Sequence, residues 1–173
     1  MGIFVRELQR SDMAVVNRWR NRQELVADLG GVFRFVGEEV DEKWFDHYLS
    51  VRNNNVRLAI CDERTQQTIG LVYLLGIDWI NRAGECAIWI GEAEARGRGV
   101  GLAAMQQLLN HAFNDLNLHR IHLTVLANNQ RALGLYKKVG FVEEGFLRQA
   151  VFKDGRYQDL IQMAILAHEF ESI

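Results

Sequence analysis

Proline is missing from the chain altogether, and cysteine occurs only twice in 173 residues. We have no physical account of the first absence. It leaves glycine, asparagine and aspartate to punctuate the chain. The two cysteines, Cys61 and Cys86, each lie in an apolar, strand-like run, which points to buried free thiols rather than a disulfide. No Cys/His spacing suits zinc, so no metal site is expected. No apolar stretch is long enough to span a bilayer and no signal-peptide core stands at the N-terminus, so the expectation is a cytoplasmic protein without membrane contact. Net charge is nearly absent as well. Twenty Lys and Arg against 22 Asp and Glu leave −2, which gives no electrostatic footprint for nucleic acid.

What is present is ordinary for a single domain over residues 1–173, with 49% hydrophobic and 24% charged residues. One stretch stands out, Ile88 to Leu102, I-W-I-G-E-A-E-A-R-G-R-G-V-G-L. An apolar run ends at Gly91, and glycines follow at alternate positions, Gly97, Gly99 and Gly101. A helix-patterned segment then carries Leu102, Met105, Leu108, Leu109, Ala112 and Phe113 at a 3.6-residue period, predicting a helix from about Leu102 to Asn117. A strand, a turn and a helix start leave the first backbone N–H groups of the helix bare, at the positive end of its dipole. Glycine lets that backbone approach an anion closely. The segment reads as a pyrophosphate cradle. The alternate spacing does not fit the dinucleotide fingerprint G-x-G-x-x-G, and no Lys-Ser/Thr pair follows as in a P-loop.

The rest of the chain supplies the frame. A strand is expected at Phe4–Leu8, and a first helix is capped by Ser11-Asp12, carries Trp19-Arg20-Asn21 and ends at Gly30-Gly31. Val32 to Gly37 reads as a loop. A second helix over Glu38–Val51 is expected to turn Val40, Trp44, Tyr48 and Leu49 to one side. Strands follow at Arg57–Cys61, Thr68–Leu75 and Gly84–Gly91, then at Arg120–Leu126. A short helix over Asn129–Lys138 ends at Gly140. Strands at Phe141–Glu144, Leu147–Phe152 and Leu160–Leu166 close the sheet, with a hairpin turn at Lys153–Arg156.

Arg96-Gly97-Arg98-Gly99-Val100-Gly101 resembles the R/Q-x-x-G-x-G/A signature of the GNAT family of N-acetyltransferases. Asn129 to Phe141, N-Q-R-A-L-G-L-Y-K-K-V-G-F, resembles that family's N-x-x-A-x-x-x-Y-x-x-x-G-F pattern. The resemblance implies the GNAT fold, an α+β (α/β) domain with a mixed, mostly antiparallel central sheet, splayed parallel strands and flanking helices. It implies acetyl-CoA as cosubstrate and direct transfer of the acetyl group to a primary amine. The backbone of Ala87, Ile88 and Trp89 would meet the pantetheine arm. The loop Arg96, Gly97, Arg98, Gly99, Val100 and Gly101 would hold phosphate, and Asn129 would contact the cofactor. Tyr136 would be the general acid, since a phenol matches the basicity of a departing thiolate. Glu85, at the start of the central strand, would draw a proton from the ammonium, with burial raising its pKa; an ion pair with Arg82 is the other reading. A CoA-binding module without turnover would share the glycine loop but would not require Tyr136. The five histidines, His47, His111, His119, His122 and His168, form no visible constellation and are expected at the surface or on helix faces.

Within the family the chain resembles the branch of spermidine N-acetyltransferases and ribosomal-protein N-terminal acetyltransferases. The resemblance rests on Glu143-Glu144-Gly145, Phe152-Lys153-Asp154-Gly155-Arg156-Tyr157 and Asp159 to Leu166. Trp19-Arg20-Asn21 and Glu38 to Phe45 are similar to amino-sugar acetyltransferases. The acceptors so implied are a polyamine, an amino sugar or a protein N-terminus, and a homo-oligomer is possible. Glu38, Glu39, Asp41, Glu42 and Asp46 could supply carboxylates for a polyamine. Tyr73 and Gly76, however, stand where spermidine enzymes tend to carry acidic residues. Phe33-Arg34-Phe35-Val36-Gly37 likewise replaces their aromatic-acidic-proline loop.

Overall fold

The computed structural model describes residues 1–170. Strand β1 (Ile3–Glu7) leads into helices α1 (Met13–Arg20), α2 (Gln23–Ala27) and α3 (Glu38–Ser50). Strands β2 (Val56–Asp62), β3 (Thr68–Asp78) and β4 (Ala83–Ile90) follow. Then come α4 (Val100–Asn110), β5 (Arg120–Leu126), α5 (Gln130–Val139) and the long hairpin of β6 (Val142–Lys153) and β7 (Arg156–Leu166). One sheet contains all seven strands in the order β1-β2-β3-β4-β5-β7-β6. Every pairing is antiparallel except β4 with β5. That parallel pairing covers only Ala83–Glu85 against Arg120–His122, and the two strands then part. The expected architecture, splay included, is the one observed.

Alternation along the strands divides the core in two. Val72, Leu74, Cys86, Ile121 and Leu123 point to one face, against Met105, Leu108 and Leu109 of α4 and Leu133 and Tyr136 of α5. Ala59, Cys61 and Leu71 point to the other, against Val16 and Trp19 of α1 and Phe45 and Tyr48 of α3. Each buried leucine contributes about 2 kcal/mol by leaving water. Trp19 lies directly on Gly91, where a Cβ would meet the indole at 2.1 Å, so no larger residue fits between α1 and the end of β4. Both cysteines are free and buried, as expected.

Four features depart from expectation beyond small shifts at strand ends. The first helix breaks at Asn21-Arg22, not at Gly30-Gly31. Asn21 leaves the helix because its amide is bonded to residue 36, Nδ2 donating to the Val36 carbonyl at 2.8 Å and Oδ1 accepting from the Val36 N–H at 2.9 Å. Helix α3 is turned by one residue from its expected phase. Tyr48 is buried and Trp44 half-buried against the core as expected, but Val40 and Leu49 are exposed, whereas Asp41 and Phe45 are buried. A buried aspartate defeats hydrophobic periodicity, and this one is satisfied by Arg20 and by Asn17 Nδ2 at 2.7 Å. Helix α4 gives way at His111–Asp115 to a wider π turn, with the Leu116 N–H donating to the His111 carbonyl. Finally, β6 is one strand with two bulges rather than two strands. Its break at Leu147/Val151 is closed by the Gln149 N–H donating to Asp159 Oδ1 at 2.7 Å.

Candidate active site

The parting of β4 and β5 opens a cavity of about 790 Å³. Ala87, Ile88 and Trp89 form its β4 wall, and Thr124, Val125 and Leu126 its β5 wall. Beyond Glu85 the β4 backbone has no ladder partner on the β5 side, although β3 pairs the other side up to Gly70↔Ile90. An extended ligand can use those backbone groups as a strand would. Gly97, Gly99 and Gly101 lie at one end of the cavity. Gly99 is the N-cap of α4 in the left-handed region, φ 79°, a conformation that favours glycine. A Cβ there would meet nothing, so the space above it is open to a ligand. Helix α4 has no side-chain cap, which leaves its first N–H groups free for an anion. The splay, the open space over the loop and the bare helix start fit the pantetheine and pyrophosphate of acetyl-CoA.

Two residues of the loop are placed differently. Val100 is a core residue, 1% exposed, so only its backbone can serve the cradle. Arg98 is exposed and does not line the cavity. Arg96 does line it, and its guanidinium donates through Nε and Nη2 to the Ile90 carbonyl at 3.2 and 3.1 Å. It therefore ties the loop to the end of β4. Asn129 caps α5, its Oδ1 accepting from the Ala132 N–H at 3.0 Å while Nδ2 donates to the Asp28 carbonyl at 2.9 Å.

Tyr136 and Glu85 both line the cavity. Tyr136 is 8% exposed, and its ring packs on Phe141 at 5.8 Å between centroids. Burial, then the nearby Cys86, pushes its phenol well above the ordinary value, so the hydroxyl keeps its proton. Burial likewise pushes the Cys86 thiol far up, with Glu85 adding to it, so it stays a thiol and is a poor nucleophile. Glu85 is exposed in the cavity rather than buried, contrary to expectation, because β4 ends its pairing with β5 there. Nor does Arg82 pair with it. The Arg82 guanidinium donates to Asn117, to the carbonyl at 2.7 Å and to Oδ1 at 2.8 Å. Glu85 lies across β4 from Leu75 in the register that pairs Tyr73 with Ala87 and Leu71 with Trp89. It therefore faces the α1–α3 side of the sheet. His122 is its register partner on β5, half-buried, so it sits neither at the open surface nor on a helix.

The α1–α3 side of the cavity was not foreseen. Leu25, Asp28, Leu29, Gly30 and Gly31 form a wall there. The wall is fastened from behind by Lys153, 5% exposed, whose ammonium donates to the carbonyls of Val26, Leu29 and Gly31 at 2.6, 2.6 and 2.8 Å. Burial lowers the pKa of this amine, and Asp154 and Asp28 draw it back up. The paired glycines were the only trace of this wall in the sequence. Of the acidic residues at α3, Asp41 pairs with Arg20 and Asp46 with Arg10. Glu38, Glu39 and Glu42 are exposed, and none of the five lines the cavity. Among the described residues no group of three or more potential ligands could hold a metal, and no helix is long and apolar enough to cross a membrane.

Comparison with known proteins bears on this geometry. Residues 3–142 match the family model described as an acetyltransferase (GNAT) domain. The spermidine N(1)-acetyltransferase of Vibrio cholerae serotype O1 is 32% identical over 168 residues, covering 97% of this chain and 95% of that one. A putative ribosomal N-acetyltransferase of Bacillus subtilis, YdaF, is 31% identical over 59% of this chain and 55% of its own. The crystal structure of spermidine N-acetyltransferase from Vibrio cholerae in complex with CoA and spermine superposes with a TM-score of 0.90 at 31% identity, covering 96% of both chains. A splayed sheet, a glycine-capped helix start and these matches together make the chain a member of the GNAT family, an N-acetyltransferase with acetyl-CoA as its cosubstrate.

Proposed function

We propose that the enzyme transfers the acetyl group directly to a primary amine that enters from the α1–α3 side, with Tyr136 as general acid and Glu85 as the group that first takes a proton from the ammonium. The observation that carries this reading is the cavity itself, which is lined both by a protonated phenol and by a carboxylate that has no ion pair among the described residues. Acetyl-CoA bound there supplies the activated acyl group. The chain's own residues do the rest. The open backbone of β4 holds the extended arm, and the amides of the loop before α4 hold phosphate. Glu85 deprotonates the amine so that its lone pair can attack. Tyr136 gives its proton to the departing sulfur as the carbon–sulfur bond breaks. Cys86 takes no covalent part, because its thiol is held neutral and lies on the α4 side of β4.

The spermidine-acetylating relatives support a polyamine as the acceptor to assay first. One observation favours a second reading, a more compact amine such as an amino sugar or a peptide N-terminus. The carboxylates lining the cavity are Asp28 and Glu85 alone among the described residues, while Asp41 and Asp46 are held by arginines. A long polycation is matched by several spaced carboxylates, and these two serve one or two ammonium groups. Release of free CoA should be followed against spermidine, spermine, amino sugars and peptides with free N-termini. Turnover above acetyl-CoA hydrolysis with any of them supports transfer. None with the whole panel, or acetylation of Cys86, refutes this reading.

A further inference from the structure

The seam between β4 and β5 closes on one pair of side chains. Glu85 and His122 are register partners at the last paired position, so they share the α1–α3 face where the cavity begins. His122 Nδ1 lies 2.9 Å from the Gly84 carbonyl oxygen. A carbonyl oxygen only accepts, so in the neutral ring Nδ1 carries the hydrogen and Nε2 keeps its lone pair. Nε2 takes no hydrogen bond among the described residues. The backbone of β4 thus sets the tautomer of a base beside the carboxylate that meets the incoming amine.

We propose that His122 is the proton outlet of Glu85, an inference that rests on the transfer reading above. The ammonium gives one proton to the Glu85 carboxylate, and the N–H electron pair stays on nitrogen for the attack. No ion pair joins Glu85 to His122 among the described residues, so Glu85 passes that proton through an intervening water to His122 Nε2, and the imidazolium releases it to solvent. The nitrogen's second proton, lost as the amide forms, replaces the one Tyr136 gave to sulfur. One proton therefore leaves per turnover, and it leaves through His122. The surroundings suit a relay that reloads. Burial pushes the imidazole below its usual value and Arg120, on the same strand, pushes the same way, while Glu85 on β4 and Glu144 on β6 draw it up. Arg120 is itself paired with Glu144, and Ala164, the β7 partner of His122, carries no charge. His122 is thus neutral and ready to accept near pH 7.

A histidine that only fastened β4 to β5 would hold the fold and leave the proton chemistry alone, so the test reads protons. The five histidines can be followed by NMR, His122 being the signal lost in His122→Gln. In Glu85→Gln one of the two charges that hold the imidazolium up is gone, so the His122 titration should move to lower pH. An unmoved titration overturns the proposal whether or not any amine in the panel is acetylated. With spermidine, or whichever panel amine turns over fastest, His122→Gln should lower kcat at pH 7 by about tenfold or more. The acidic limb of its kcat profile should shift to lower pH as the histidine's titration disappears from it. The dissociation constant for acetyl-CoA should stay within about threefold. A folded His122→Gln enzyme with wild-type kcat and an unmoved limb overturns the relay while leaving the transfer reading intact. Failure of the whole panel, by contrast, removes the transfer reading.

Discussion

The general-acid role proposed for Tyr136 rests on its place on α5. The helix is capped at one end by Asn129 and closed at the other by Gly140, φ 111°, so the tyrosine's position along it is set from both sides. The ring packs in the core, the residue lines the cavity, and burial keeps the phenol protonated. Tyr136→Phe keeps the packing against Phe141 and removes the proton. kcat should fall by roughly 100-fold, with acetyl-CoA affinity within about threefold, as isothermal calorimetry beside steady-state kinetics would register. Retention of more than about a third of wild-type kcat, with chemistry rate-limiting, would leave Tyr136 a packing residue. Gly99 is the other residue fixed by local physics. Gly99→Val forces a β-branched side chain into a left-handed conformation at the proposed phosphate cradle. Acetyl-CoA binding should weaken at least about tenfold, or about 1.4 kcal/mol, and unchanged affinity in the folded variant would show the cradle misplaced. The places of both residues at the cavity were legible in the sequence, because each lies in a spacing motif that fixes a local element. Lys153 was not. Its partners are three carbonyls more than a hundred residues away, and no pattern in a linear chain announces carbonyls.

At the scale of elements, the segment Trp19-Arg20-Asn21 proves to be a fastening. Trp19 packs on Gly91 and donates to Glu92 Oε1 at 3.0 Å, Arg20 satisfies buried Asp41, and Asn21 clasps Val36. Together they fix α1, α3 and the loop between α2 and α3 against the end of β4. Sequence patterns found α4, α5, the β2–β3 hairpin and the glycine loop, since each obeys one period or one turn signal. They misphased α3 and divided β6, because a buried ion pair and a bulge are decided by partners elsewhere in the chain. Lys153 belongs at this scale by its effect, which is to hold the α2 end and the Gly30-Gly31 wall against the β6–β7 hairpin. Lys153→Met should leave three carbonyls without their donor and cost about 2 kcal/mol in urea denaturation. It should also raise KM for the amine several-fold with little change in acetyl-CoA affinity. Equal effects on both substrates would mean that the wall serves the fold alone.

For the whole molecule, one knot ties the N-terminal strand to the sheet and the first helix. Asp12, 3% exposed, accepts from Arg6 at 2.8 and 2.9 Å, from the Thr68 hydroxyl at 2.6 Å and from the Gln9 N–H at 2.8 Å. Burial opposes its charge, yet those bonds outweigh burial and hold the carboxyl below the usual range. The folded value lies under the unfolded one, so the stability this group adds is complete above about pH 4 and fades as pH falls through the folded value. Asp12→Ala should cost about 3 kcal/mol at pH 7 by urea denaturation, and its deficit against wild type should shrink in acid. A deficit that is the same at both pH values would assign the loss to packing. The seam of three register pairs between β4 and β5 has a different bearing. Two half-sheets hinged at one end form a pair of tongs, and the backbone amides along the open jaw lie next to solvent rather than to another strand. Deuterium should therefore enter the gap-facing amides of residues 86–90 quickly in the free protein. It should enter at least about tenfold more slowly once CoA grips both jaws, while the β3-bonded amides beside them hardly change.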